Sequence, residues 1–92
     1  MNCIEEILLG IESGCFFDSH YIVKCMIRDF SDDYLAIAKK IDSTNNLTLR
    51  THQQIGHLIA KFEGKLIERQ NDQSHSLNIH CNGSKCALWK RI

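Results

Sequence analysis

Proline is absent from all 92 residues of the chain, so X-Pro isomerisation cannot slow its folding. The longest apolar runs fall far short of the roughly 20 residues that a membrane-spanning helix needs, and no membrane partner is expected. Low-complexity segments, internal repeats and an interdomain linker are also missing. No glycine-rich phosphate loop and no nucleophile-elbow pattern occurs. Formal net charge is zero, which argues against a strongly basic nucleic-acid clamp. The five cysteines, Cys3, Cys15, Cys25, Cys81 and Cys86, are odd in number and unevenly spaced, and no signal peptide is read ahead of them. They do not form a disulfide framework. The expected setting is a reducing cytoplasm with free thiols. Cys3 and Cys25 lie among apolar neighbours, where a thiol behaves as a small hydrophobe.

What is present fits one domain over residues 1–92, with a modest core. Its charge is unevenly distributed. Met1 to Ala36 holds seven acids and two bases, net −5, whereas Ile37 to Ile92 holds four acids and nine bases, net +5. Such polarity steers an anionic partner to one side. It equally fits two halves that attract each other within the fold or across a dimer.

In chain order, Ile4, Ile7, Leu8 and Ile11 mark a first amphipathic helix, with Asn2 as its candidate cap, Glu5 and Glu6 in its first turn and Gly14 beyond its end. Cys15-Phe16-Phe17 is a short apolar run suited to a lone edge strand. Asp18 or Ser19 caps a second helix with an apolar face of Ile22, Val23, Met26, Ile27 and Phe30. Ser31 opens a third, with Asp32 and Asp33 in its first turn and a stripe of Tyr34, Ile37, Ala38 and Ile41. Residues 42–48 are turn chemistry throughout.

From Thr51 onward the pattern is sharper. Ile55, Leu58, Ile59, Phe62 and Leu66 form one helical stripe, and Thr51 with Gln54 fits a capping box. The spacing predicts a helix over 51–63, closed by Gly64, with Phe62 as the largest residue at the centre of the core. Its opposite face carries Gln53, His57 and Lys61, flanked by Gln54 and Lys65. Leu66 to Arg69 reads as a short strand and Asn71 to Ser76 as a polar loop. Leu77, Ile79 and Cys81 then alternate with polar residues at strand spacing. Asn82-Gly83 is a strong type I′ hairpin signal, because that turn needs positive φ at both positions. A turn there places Ile79 opposite Cys86 and Leu77 opposite Leu88, with a last strand over Lys85 to Arg91. Leu88 and Trp89 then face opposite sides, and the pattern leaves open which one enters the core.

This order of elements, three to four helices and a short strand followed by a small antiparallel hairpin or sheet, is an α+β, mainly helical class. It resembles the winged-helix branch of the helix-turn-helix superfamily. The resemblance rests on element order over most of the chain, not on a diagnostic motif. The connection before the fourth helix is longer than a standard helix-turn-helix turn, and there is one helix more than the minimal module. The resemblance implies that the 51–63 helix is a recognition helix and that the 71–85 hairpin is a wing. Gln53, Gln54, His57 and Lys61 would then face base edges. Arg50, Lys65, Lys85, Lys90 and Arg91 would meet phosphates of duplex DNA. The function implied is a small cytoplasmic transcription regulator of bacterial or phage type, working as a homodimer. A second reading keeps the winged-helix shape without DNA binding, and docks a basic protein through the acidic N-terminal half.

Catalytic and metal chemistry is weaker. His75, His80, Cys81 and Cys86 have the spacing H-x4-H-C-x4-C, but adjacent His80 and Cys81 would face opposite sides of a regular strand and no C-x2-C pair is present. No bound metal or cofactor is expected. His52 and His57 lie five apart, off a shared helix face, so an acid–base nuclease is not supported. Asp18-Ser19-His20 has the residue types of a hydrolase triad, but sequence adjacency does not build that geometry. The chain is read as a non-enzyme.

Overall fold

In chain order the computed structural model runs α1 (Cys3–Leu9), β1 (Phe16–Asp18), α2 (Ser19–Asp29), α3 (Ser31–Lys40), α4 (Leu47–Ala60), β2 (Ile67–Leu77) and β3 (Gly83–Arg91). It describes residues 3–41, 47–77 and 83–92. The architecture is α+β and mainly helical, with a three-stranded antiparallel sheet in the order β1-β3-β2. Asn2, residues 42–46, Ile79, His80, Cys81 and Asn82 lie outside the described residues, so the expectations placed on them have no structural counterpart here.

β3 is the central strand, and its alternation sorts the sheet into two faces. Trp89 pairs with Phe17 on one side and with Arg69 on the other. Phe17, Trp89 and Ile67 are buried against Ile4 and Leu8 of α1, Ile22, Val23 and Met26 of α2, and Ile55 and Ile59 of α4. Trp89 is therefore the core residue, and Leu88 is half-buried on the other face. The Trp89 indole N–H donates to Ser19 Oγ at 3.3 Å, so the one polar atom of the ring is satisfied.

The second helix begins where its chemistry directs. Asp18 is its N-cap, and its Oδ1 accepts from Tyr21 N at 2.8 Å. The other carboxylate oxygen accepts from Ser74 Oγ at 2.7 Å, tying the end of β1 to the far edge strand. Ile22, Val23, Cys25 and Met26 form the buried face of α2. Ile27 is exposed. At about 100° per residue it stands some 140° round from Ile22, while Cys25 occupies the flank that Ile27 was expected to take. Ser31 opens α3 as expected, but as its first residue; Phe30 is the cap position and no side chain caps the helix.

Three further expectations are corrected. The fourth helix starts at Leu47, not at Thr51. Thr51 is buried within it and donates its hydroxyl to Leu47 O at 2.7 Å. The same hydroxyl that suits a cap also bonds back one turn inside a helix. The helix ends at Ala60, so Phe62 falls in the following turn and is only half-buried; Ile55 and Ile59 take the core centre. Gly64 does adopt positive φ (+82°) as expected, closing the turn with its N–H on Ile67 O.

The hairpin is longer than its sequence pattern indicates. Residues 71–76 belong to β2, not to a loop, and Gly83 is paired opposite Leu77 within the ladder. With Ser76 opposite Ser84 and Leu77 opposite Gly83, the register does not fit the two-residue turn expected there. Cys86 stands opposite Ser74, and Leu88 opposite Asp18. The pattern misled for a physical reason: a ribbon wetted on both faces needs no apolar alternation to remain a strand. An irregularity between Arg69 and Gln73 adds to this, since β2 advances four residues there while β3 advances two.

Trp89→Ala is expected to cost about 3–5 kcal/mol in urea denaturation, and Phe62→Ala markedly less. Partial burial pushes the Asp18 carboxyl up, but hydrogen bonds from Ser74, Tyr21 N–H and Ser76, together with His20, hold it below its ordinary value of 3.8. The folded value is thus depressed. The stabilisation is present above the unfolded value and lost as pH falls through the folded one. Denaturation midpoints measured down the acid limb are expected to fall less steeply in Asp18→Asn than in the wild type.

Candidate nucleic-acid interface

Helix α4 buries a narrow side. Thr51, Ile55 and Ile59 are inside, with Leu58 half-buried beside them. Gln53 and His57 stand about 160° round the helix from Ile55, and both are exposed, as are Arg50 and Gln54. Arg50, Gln53 and His57 share this outward face, at the i, i+3, i+7 spacing. Gln54 lies on its flank, lining a groove of about 380 Å³ with Ile37, Lys40, Ile41 and Leu58. Lys61 is exposed just past the helix end, and Lys65 is exposed in the turn that follows.

His52 takes no part in that face. It is half-buried, and its Nε2 lies 2.9 Å from Tyr34 Oη, with the two rings tilted at a centroid distance of 5.8 Å. This pair braces α3 against α4. Burial raises the Tyr34 phenol above its ordinary value, which keeps it neutral and able to donate. The spacing of His52 and His57 did not show this pairing; the available signal was Tyr34, whose hydroxyl needs a partner when it is drawn toward a core.

The β-strand cations divide by face. Lys85 shares the Ala87 and Trp89 side of β3 but lies further out, opposite His75, and is exposed. Lys90 projects from the other side of the sheet, with its ammonium 5.9 Å from the centre of the Phe16 ring. Arg91 is engaged by the fold. Its Nε donates to Leu8 O at 3.0 Å, and its Nη1 donates to Leu66 O at 3.3 Å and to Ile92 O. Leu8 O is one of the last carbonyls of α1, which lack partners within the helix, and a cation there also suits the helix dipole. Among the described residues, Arg50, Lys61, Lys65, Lys85 and Lys90 form no ion pair; the pair present is Arg28–Asp29 at 2.7 Å, within the acidic half.

The register also separates His75 from Cys86. Ser74 is opposite Cys86 and His75 opposite Lys85, so the two would-be zinc ligands face opposite sides of the ribbon. A different group, Asp18, His20 and Cys86, is brought together instead. The cap at Asp18 is legible in the sequence, but nothing in the spacing connects it to position 86.

Arg91→Ala is expected to lower unfolding free energy by about 1.5–3 kcal/mol, since charge-assisted hydrogen bonds to Leu8 O and Leu66 O are lost, although the N–H groups of Ile11 and Ile92 still donate to those carbonyls. Lys85→Ala is expected to change it by less than about 0.5 kcal/mol; parallel urea titrations check both. No protein-family model matches the chain, and no curated protein or solved structure is similar enough to it to count as a match.

Proposed function

We propose that the protein binds duplex DNA, with the outward face of α4 in the major groove and the β2–β3 ribbon against the backbone. The observation that carries this reading is the single open row of Arg50, Gln53 and His57 on a helix of 14 residues whose opposite side is sunk in the core. A helix fits the major groove; glutamine makes paired hydrogen bonds to adenine there, and basic side chains bond guanine or phosphate. Three further features support it. The cations of the basic half are not paired with acidic side chains among the described residues, and Arg91 is taken up by backbone carbonyls. The element order keeps the helix immediately before the ribbon. The short strand β1 after the first helix lies at the sheet edge, paired with β3. Arg50, Lys61, Lys65 and Lys85 are the phosphate contacts of choice in this reading; Lys90 faces away, and Arg91 acts as a helix cap. A regulator of transcription acting as a dimer is the biological role that such a module suits.

A second reading has its own observation. On the acidic half, Phe16 is 61% exposed and Tyr21 46% exposed, and both line a concavity of about 320 Å³ with Ile11, Phe17 and Asp18. An apolar recess in the acidic half, with the Asp18 carboxylate at its edge, suits an apolar segment of a basic protein.

The discriminating experiment is binding to random and mixed-sequence duplexes across a salt series. Log affinity is expected to fall against log salt by roughly 0.9 per phosphate contact. Arg50→Ala and Lys85→Ala should each reduce that slope by about one contact for all sequences alike. Gln53→Ala should instead relax preference at individual base pairs worth about 1–3 kcal/mol. No binding to any duplex at low salt would leave the basic-partner reading as the better account.

A further inference from the structure

We propose that Asp18, His20 and Cys86 form a binding site for one zinc-class divalent cation. One ligand atom from each lies within 4.8 Å of the other two, and all three residues are half-buried. The donors are a carboxylate, an imidazole and a thiol. Thiolate and imidazole together select a borderline metal such as Zn²⁺ and not a hard cation such as Mg²⁺ or Ca²⁺.

The fold places these groups without reference to their sequence spacing. Asp18 ends β1 and caps α2, so His20 follows in the first turn of the helix. Asp18 is opposite Leu88 on the sheet, and Cys86 lies two residues along β3 on the same face, away from Trp89. Ser74 pairs with Cys86 from the other side.

The surroundings are those of a metal site. Ligating carboxylates and imidazoles are held in orientation by outer hydrogen bonds. Ser74 Oγ donates to Asp18 Oδ2 at 2.7 Å, and Tyr21 N donates to Oδ1 at 2.8 Å. Each carboxylate oxygen carries two lone pairs; with Ser74, Tyr21 N–H and Ser76 as donors to the group, one of the four remains for a cation. Ser76 Oγ lies 2.7 Å from His20 Nδ1 and fixes the ring. Three protein ligands leave a fourth position for water or an exogenous donor, which is the arrangement of an open zinc site. Closing the three donors onto one ion would bind the ends of β1, α2 and β3 to one another across the outer face of the sheet.

Cobalt(II) is the probe. Titrated into the reduced protein, it is expected to bind one equivalent per chain with a thiolate-to-cobalt charge-transfer band in the near ultraviolet, displaced by Zn²⁺. Thiol deprotonation on binding should make affinity rise with pH. Cys86→Ser should lose the band, and His20→Ala and Asp18→Asn should lose measurable binding. Asparagine still caps a helix, so Asp18→Asn keeps the fold, which circular dichroism would verify. Ser74→Ala should weaken binding by about tenfold or more, as loss of an outer-shell partner does. His75→Ala, Cys81→Ser and Cys25→Ser should leave it intact. Absence of binding to the folded protein would overturn the proposal. So would binding that survives Asp18→Asn and His20→Ala but depends on Cys81 and His75, since that is the hairpin set.

Discussion

Burial of Trp89 on the middle strand is the constraint on which the remaining packing depends. A large ring at that point needs apolar walls on both neighbouring strands and a lid of helices, and each is supplied. Phe17 lies beside it on β1, Ile67 lies further along β2, and Met26, Ile55 and Ile59 close the helical side. Arg69 adds a guanidinium 5.7 Å from the ring centre, where the face of an indole attracts a cation. The indole N–H must find an acceptor, and Ser19 at the start of α2 provides it. A single residue thus ties the sheet to α2 and α4, in a chain too short to support a second core.

That arrangement decides which surfaces are left over. Because α4 needs only a narrow apolar side to meet the tryptophan layer, the other side of the helix is free to carry Arg50, Gln53 and His57. Because Trp89 faces inward, its even-numbered neighbours on β3 face outward, and Cys86 comes into the company of Asp18 and His20. The ribbon beyond the core is wetted on both faces, which is why polar residues from Gln70 to Ser76 are tolerated in a strand. The basic half is also not uniform in purpose. Arg91 is spent on the last carbonyls of α1 and the turn at Leu66, Lys90 lies over Phe16, and the exposed cations lie on the end of α3, on α4, in the turn after it and on the ribbon.

Much of this was legible in the residues. The order of helices and strands, the short edge strand at Phe16-Phe17, the cap at Asp18, the stripe of Ile55 and Ile59 and the left-handed Gly64 all follow from local rules of periodicity and backbone sterics. The outward face of the fourth helix followed from the same stripe, since a side not needed for the core is free. Boundaries were less legible. Thr51 carries a hydroxyl that serves equally as a cap or as a back-bonded interior residue, so its pattern does not say where the helix starts. Asn82-Gly83 is a strong turn pair in isolation, but a pairing of Leu77 with Gly83 overrides it.

By itself the sequence determined the fold class, the inward side of α4 at Ile55 and Ile59 and the separation of acidic from basic halves, because these depend on neighbours within a few residues. Only the tertiary structure decided strand register. A shift of one residue exchanges the two faces of a strand, so register settled that Trp89 and not Leu88 is buried, that His75 and Cys86 are apart, and that Lys85 and Lys90 look in opposite directions. It also decided that Arg91 is a cap and that Asp18, His20 and Cys86 meet. Each of those contacts joins positions far apart in the chain, and no local pattern of residues encodes them.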